Sequence, residues 1–177
     1  MEKTLQSKMI YDGRRLRLYR DEVELPDGRH TFREVVSHPG AVAVVPVTEE
    51  GDVFLVKQFR YAIRSELYEI PAGIIEKGES PEQCAVRELR EEAGLNAGKM
   101  EKLGQFYTSP GVMDELMHIY RATELTAPGY KPEEGIEVVK MKLGQAIDKI
   151  KTGEIADAKT ICGVFWVVRG ITQKEAH

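Results

Sequence analysis

At 177 residues, with 42% apolar and 31% charged side chains, the chain has the make-up of one ordinary globular domain able to bury its own core. A net charge of −4 with no basic tract excludes general nucleic-acid binding, which needs a patch of Lys and Arg. The longest apolar run, AVAVVPV at 41–47, is far too short to cross a bilayer. An anionic small molecule stays open as a substrate, provided that local Arg or Lys side chains, or a metal ion, receive it. Cys84 and Cys162 form no CxxC and no Cys/His cluster, and MEKTLQSKMI has no apolar signal core, so a reduced, cytoplasmic protein is expected.

Residues 1–38 read as three strands. YDGR at 11–14 and LPDGRH at 25–30 each carry Asp-Gly, a hairpin signal, and RLRLYRDEVEL between them alternates as a half-buried strand does. A three-stranded sheet is marginal alone, so this region should pack on the rest of the chain or on a second subunit. SHPG at 37–40 interrupts the pattern and sets the division: 1–38 an N-terminal strand region, 39–177 the main domain.

AVAVVPV then reads as a buried strand, EEGD at 49–52 as a turn, VFLVKQFR as a returning strand and ELYEIPAG at 66–73 as a short extended stretch. A helix follows: Ser80 serves as N-cap, Pro81 as first residue, Gln83 completes a capping box, and Gly94 stops it. KMEKLGQFYTSPG and ELMHIYRATEL read as a strand pair joined by a Pro-Gly loop, APGYKPEEG as an irregular loop, and IEVVKMKL as a strand. GQAIDKIKTG and, behind an Asp157 cap, AKTICGVFWVVRGI close the chain as helices. This order predicts an α+β protein, or a sheet between helices, rather than regular βαβ alternation.

On the helix from Pro81 to Ala93, at 100° per residue, Ala85, Val86, Leu89 and Ala93 share a stripe roughly 100° wide that should face the core. Glu88, Glu91 and Glu92 fill the adjacent sector. Glu88 and Glu92 are one turn apart, where like charges cost roughly 0.2–0.5 kcal/mol a pair, and Arg87 can pair with Glu91 four residues on. A charge run is more often a solvated face. Converging carboxylates, though, recruit hard divalent cations, which keep several waters and bridge to substrate phosphates.

The flanks decide between these readings. Gly73, Glu79, Arg87, Glu88, Leu89, Glu91, Glu92, Gly94 and Leu95 fill every fixed position of a pattern that resembles the Nudix box. The resemblance implies a Nudix fold, a mixed β-sheet sandwiched between α-helices, here with an N-terminal antiparallel strand extension. It also implies a hydrolase of nucleoside diphosphates linked to another group, with Mg²⁺, or Mn²⁺ as a substitute. Carried over by position, Glu88, Glu92 and Glu91 are metal ligands together with the carbonyl of Ala72, and Glu79 supports the loop through Arg87.

EIPAG before the box, TSPGVMDE after it, VKQFRYA and REVVSHPGAVAVVPV resemble the ADP-ribose pyrophosphatases, as does the ending EVVKMKLGQAIDKIKTGEIADAKT. The implied reaction converts ADP-ribose and water to AMP and ribose 5-phosphate. The implied base comes from KPEEGIEVV: Glu134 first, Glu133 second, either of which could instead bind metal. Arg60 matches a phosphate-contacting position and Glu115 one that contacts substrate or orients water, with Asp114 equally a turn residue. Arg33 is a weaker candidate, directed at a second subunit's site. The subfamily implies a homodimer with exchanged N-terminal strands. Tyr19, Phe32 and Tyr61 are candidates to stack on adenine, with ordinary packing the favoured role for each, and Cys84 is expected as a small buried residue. His30, His38, His118 and His177 show no ligand spacing. Two alternatives stand beside this reading: a pyrophosphatase of another nucleotide sugar such as GDP-mannose, and a non-catalytic Nudix-fold regulator, against which the intact carboxylates speak.

Overall fold

The computed structural model describes residues 1–170; His177 and the expected last helical residue, Ile171, lie outside them. The chain divides into two compact units, one of Met1–Gly40 with Phe106–Leu116, the other of Ala41–Gln105 with the chain from Met117 on.

In the first unit β1 (Lys3–Asp12), β2 (Arg17–Glu24) and β3 (His30–Ser37) form an antiparallel meander. The Asp27-Gly28 turn joins β2 to β3, with Gly28 at φ 82, where a side chain is strained. Every residue of β1 is exposed, Leu5, Met9, Ile10 and Tyr11 included. The 106–116 segment belongs to this unit because its backbone bonds to the end of β3: Val36 N–H donates to Val112 O at 2.8 Å and Asp114 N–H to Val36 O at 3.2 Å.

The second unit is built on β4 (Ala41–Pro46), the AVAVVPV strand. It lies inside a mixed sheet ordered β7 (Ala72–Ile74), β4, β9 (Leu116–Thr126), β8 (Asn96–Tyr107), parallel to β9 and antiparallel to β7. A second, antiparallel sheet runs β10 (Glu137–Lys142), β5 (Asp52–Arg60), β6 (Ser65–Glu69). Strand β4 is buried at every position because both faces are covered. Val42 and Val44 point one way, into a cluster with Cys84, Ala85, Leu89 and Ala93 of helix α1 (Pro81–Ala93). Val45 points the other way, toward Gly163 of helix α3 (Ala158–Arg169). Alternation along one strand thus produces the expected sheet between helices. Helix α2 (Leu143–Thr152) lies against α3 and β10.

Helix α1 starts and stops as its residues dictate. Ser80 accepts from Gln83 N–H at 3.2 Å, Gln83 returns a bond to Ser80 N–H at 2.9 Å, and Gly94 ends the helix at φ 67. The buried face differs from the expected stripe. Val86 is 50% exposed and does not join the core, while Cys84, Ala85, Glu88, Leu89, Glu92 and Ala93 are buried. That arc spans roughly 180° and puts Glu92 beside its centre, with Val86 just beyond its edge. Periodicity counted only apolar residues and so displaced the face; the acids are part of what it buries.

Gly163 shows how closely α3 sits on the sheet. A Cβ there would lie 2.8 Å from Val45 Cγ2 and 3.0 Å from Ile70 Cδ1. Gly163→Val overpacks this contact and should destabilise the protein by about 1–3 kcal/mol, read as a lower urea midpoint at unchanged slope.

Candidate active site

Three pieces of the second unit meet at the buried acids: β7, α1, and the facing ends of β5 and β6. Glu92, only 7% exposed, accepts a bond from Ala72 N–H at 2.9 Å. Glu88, 8% exposed, lies against Gly73; a Cβ on that residue would fall 1.8 Å from Glu88 Oε1. Gly73 thus makes room for the Glu88 carboxylate where it now lies, and a side chain there would displace it; its backbone angle does not call for glycine.

Arg87 holds the acids. Its Nε and Nη2 fork onto Glu79 at 2.9 and 3.0 Å, Nη1 reaches Glu88 at 2.5 Å and Glu91 at 3.0 Å, and Nη2 also donates to Ile74 O at 3.2 Å. All five N–H donors of the guanidinium are used. Glu79 in turn accepts from Glu76 N–H at 3.0 Å, closing the loop ahead of the helix. The Arg87 bond, with that backbone bond behind it, brings the Glu79 carboxyl down to about 2 against the opposing effect of burial. Arg87 itself is raised, chiefly by Glu79.

The other acids shift the opposite way. Burial raises the Glu88 carboxyl, Arg87 opposes this, and the charges of Glu91 and Glu133 reinforce it. Burial pushes Glu92 up to about 7; the Ala72 N–H bond resists and the charge of Glu88 adds to it. One guanidinium among Glu79, Glu88, Glu91 and Glu92 leaves negative charge uncompensated in a poorly hydrated place. Cys84 is fully buried beside Arg87, its thiol pushed up to about 12 by burial, so it stays protonated and fills space as expected.

These oxygen donors suit a hard divalent cation. The bonds above leave Oε2 of Glu88 and Oε1 of Glu92 over, and the space at Gly73 lets carboxylate and backbone lie side by side. Among the described residues, no three His, Cys, Asp or Glu side chains are gathered to hold an ion as they stand, and Glu88 and Glu91 are both bonded to Arg87.

The remaining candidates divide between the units. Glu133 and Glu134 are both exposed, on the loop that passes the C-terminal end of α1: Glu133 N–H donates to Glu91 O at 3.0 Å. The charge felt at Glu88 is that of Glu133. Arg60 forks onto Glu69 at 2.6 and 2.5 Å and remains part-exposed. Glu69 escaped sequence reading: an acid in an extended stretch gives no sign that it is buried, and its second partner, Lys159, is 90 residues away. In the first unit Arg33 pairs with Glu2 at 3.0 and 2.6 Å. Glu115 accepts from Thr108 Oγ1 at 2.6 Å and lies 3.5 Å from His38, while Asp114 accepts from His38 N–H at 2.7 Å as a turn residue would. Phe32 and Tyr61 are exposed, with the guanidinium groups of Arg20 and Arg64 over their rings at 3.9 and 3.5 Å, so core packing is not their role; Tyr19 is half-buried.

Two family models match the chain, the NUDIX domain over residues 37–163 and the nucleoside diphosphate sugar hydrolase N-terminal domain over residues 2–36. The chain is 47% identical over 170 residues to the ADP-ribose pyrophosphatase of Bacillus subtilis (strain 168), covering 94% of this chain and 92% of the relative. It is 42% identical over 170 residues to the methanol dehydrogenase activator of Bacillus methanolicus, with the same two coverages. In fold it is similar to a solved structure described as an ADP compounds hydrolase, with a TM-score of 0.83 at 22% identity, over 96% of this chain and 93% of the other.

Glu79 makes the Arg87 brace sensitive to acid. Its folded carboxyl is depressed to about 2 from an ordinary 4.5, so the stability it supplies is complete above about pH 4.5 and is lost as the pH falls toward 2. Glu79→Gln should lower the melting temperature at pH 7 and flatten its dependence on pH between about 4.5 and 2, as followed by circular dichroism.

Proposed function

This chain belongs to the Nudix family, and from that premise we propose that it hydrolyses the pyrophosphate bond of ADP-ribose, with Mg²⁺, to AMP and ribose 5-phosphate. It is a hydrolase of a family that uses divalent metal ions. One observation carries the chemistry: the Glu88 and Glu92 carboxylates lie against Ala72 and Gly73 with their pKa values raised, chiefly by burial and further by neighbouring acids, a cost that a divalent cation relieves. The full-length similarity to a relative named ADP-ribose pyrophosphatase supports the substrate.

In this reading Glu88, Glu91, Glu92 and the Ala72 carbonyl hold Mg²⁺, or Mn²⁺ in its place. When bound, the ion supplies a polarised phosphoryl oxygen and a more acidic water. Arg60 offers its guanidinium to the pyrophosphate oxygens. The base that takes the water's proton comes from the 133–134 loop, with Glu134 the first candidate and Glu133 the one whose charge is felt at Glu88. Glu115 contacts substrate or orients water.

We further propose that 1–38 is a dimerising strand region and 39–177 the hydrolase domain, with Arg33 serving a second subunit's site. Apolar side chains along the fully exposed β1 support a homodimer with exchanged strands. Gel filtration should then give about twice the 20.0 kDa of one chain, and a fully active monomer would exclude the exchange. Among the described residues no helix is long and apolar enough to cross a membrane, and both cysteines are free, which supports a reducing cytoplasm.

The test is AMP release from ADP-ribose with and without Mg²⁺, beside GDP-mannose and NADH. Metal-dependent turnover that favours ADP-ribose is expected; faster turnover of GDP-mannose would move the reading to that sugar, and none on any substrate would favour a binding module. Glu92→Gln should lower kcat by about 100-fold or more with the fold intact. Of Glu133→Gln and Glu134→Gln, the variant that loses rate while keeping Mn²⁺ affinity identifies the base.

A further inference from the structure

Glu69 is 1% exposed at the end of β6, a buried charge with no role in the chemistry above. Burial opposes its ionised form, and it stays ionised because two cations share it. Arg60 forks onto it through Nε and Nη2, and Lys159, from the first turn of α3, donates to Oε2. Lys159 also bonds Asp157 at 2.9 Å. Asp157 caps α3 through Thr160 N–H at 3.0 Å and accepts from Thr160 Oγ1 at 2.6 Å, and that hydroxyl oxygen accepts from Ile70 N–H at 2.8 Å. The chain of bonds therefore runs from the start of α3 to the backbone next to Glu69 and through the carboxylate to Arg60.

From this we infer that Lys159 is a positioning residue for Arg60. It fixes the carboxylate on which the guanidinium is aimed, so that Nη1, engaged by neither Glu69 bond, points its donors where the substrate's pyrophosphate binds.

Geometry supports this over simple charge balance. Arg60 alone could neutralise Glu69. A lone carboxylate at the end of a strand, however, can rotate with its partner, whereas one held from a second element cannot, and a fork aimed at phosphate gains from fixed direction. Arg60 is 39% exposed, so one edge of its guanidinium is available while the other is tied down. The inference rests on the reading of Arg60 as a pyrophosphate contact.

Calorimetric binding of α,β-methylene-ADP-ribose, which resists hydrolysis, tests it with Mg²⁺ present. Lys159→Met should weaken binding about tenfold, the worth of one well-aimed charge-assisted hydrogen bond. Lys159→Arg should restore most of the affinity. In an Arg60→Met background, Lys159→Met should have no further effect, since the residue acts through Arg60. Melting curves on each variant keep folding separate from binding. Equal affinities for parent and Lys159→Met, or losses that add in the double variant, would overturn the positioning role while leaving the substrate reading in place. A parent protein that does not bind the analogue would instead bring down the substrate reading and this inference with it.

Discussion

The guanidinium of Arg87 is the constraint on which the site depends. A helix that carries Glu88, Glu91 and Glu92 in succession repels itself, and two of the three lie in its buried half. Arg87 joins two of these acids to Glu79, which belongs to the loop ahead of the helix. The same five donors thereby fix the loop, the helix and, through Ile74 O, the end of β7. A lysine could not do this: a single ammonium has three donors and no fork. The brace is also incomplete by design of charge. It leaves Glu92 to a backbone N–H, and burial, with the charge of Glu88 added, raises that carboxyl.

What keeps the acids in place against their repulsion is ordinary packing. Leu89, Ala85 and Cys84 seat α1 on Val42 and Val44, and a fully buried aliphatic side chain contributes roughly 1.5–3 kcal/mol. The capping box and the Gly94 stop fix the helix's length and phase, and phase decides which side chains meet β7. The Glu88 carboxylate then occupies the space that a side chain at Gly73 would need. Strand β4 couples this face to the other, since the residues alternating with Val42 and Val44 carry α3.

Much of this could be read from the sequence, and the boundary of what could is instructive. The capping signals, the Asp-Gly hairpins and the apolar run AVAVVPV are local signals, and the structure follows them. The spaced pattern from Gly73 to Leu95 carried the family. The burial of Glu88 and Glu92 was not legible, because amphipathic counting assigns acids to water; only the fit of the helix's carboxylates against the backbone of β7 reverses that. Val86 lost its place for the same reason. The Phe32 and Tyr61 rings were expected to pack, and instead lie exposed under arginines, a pairing that no spacing rule anticipates.

The pairing of Glu69 with Lys159 marks the outer limit of such reading. Both residues sit in stretches whose local pattern is unremarkable, and what joins them is topology: β6 ends where α3 begins its first turn. A buried carboxylate between two cations is costly to desolvate, and an apolar substitute of like volume is often as stable or more so. Stability is thus a weak reason for Glu69 to be ionic. Direction is a stronger one, because an aliphatic residue there could neither orient Arg60 nor tie it to α3. The same argument applies to the Arg87 brace, whose ion pairs contribute direction more than stability: they fix where the carboxylates of Glu79, Glu88 and Glu91 point.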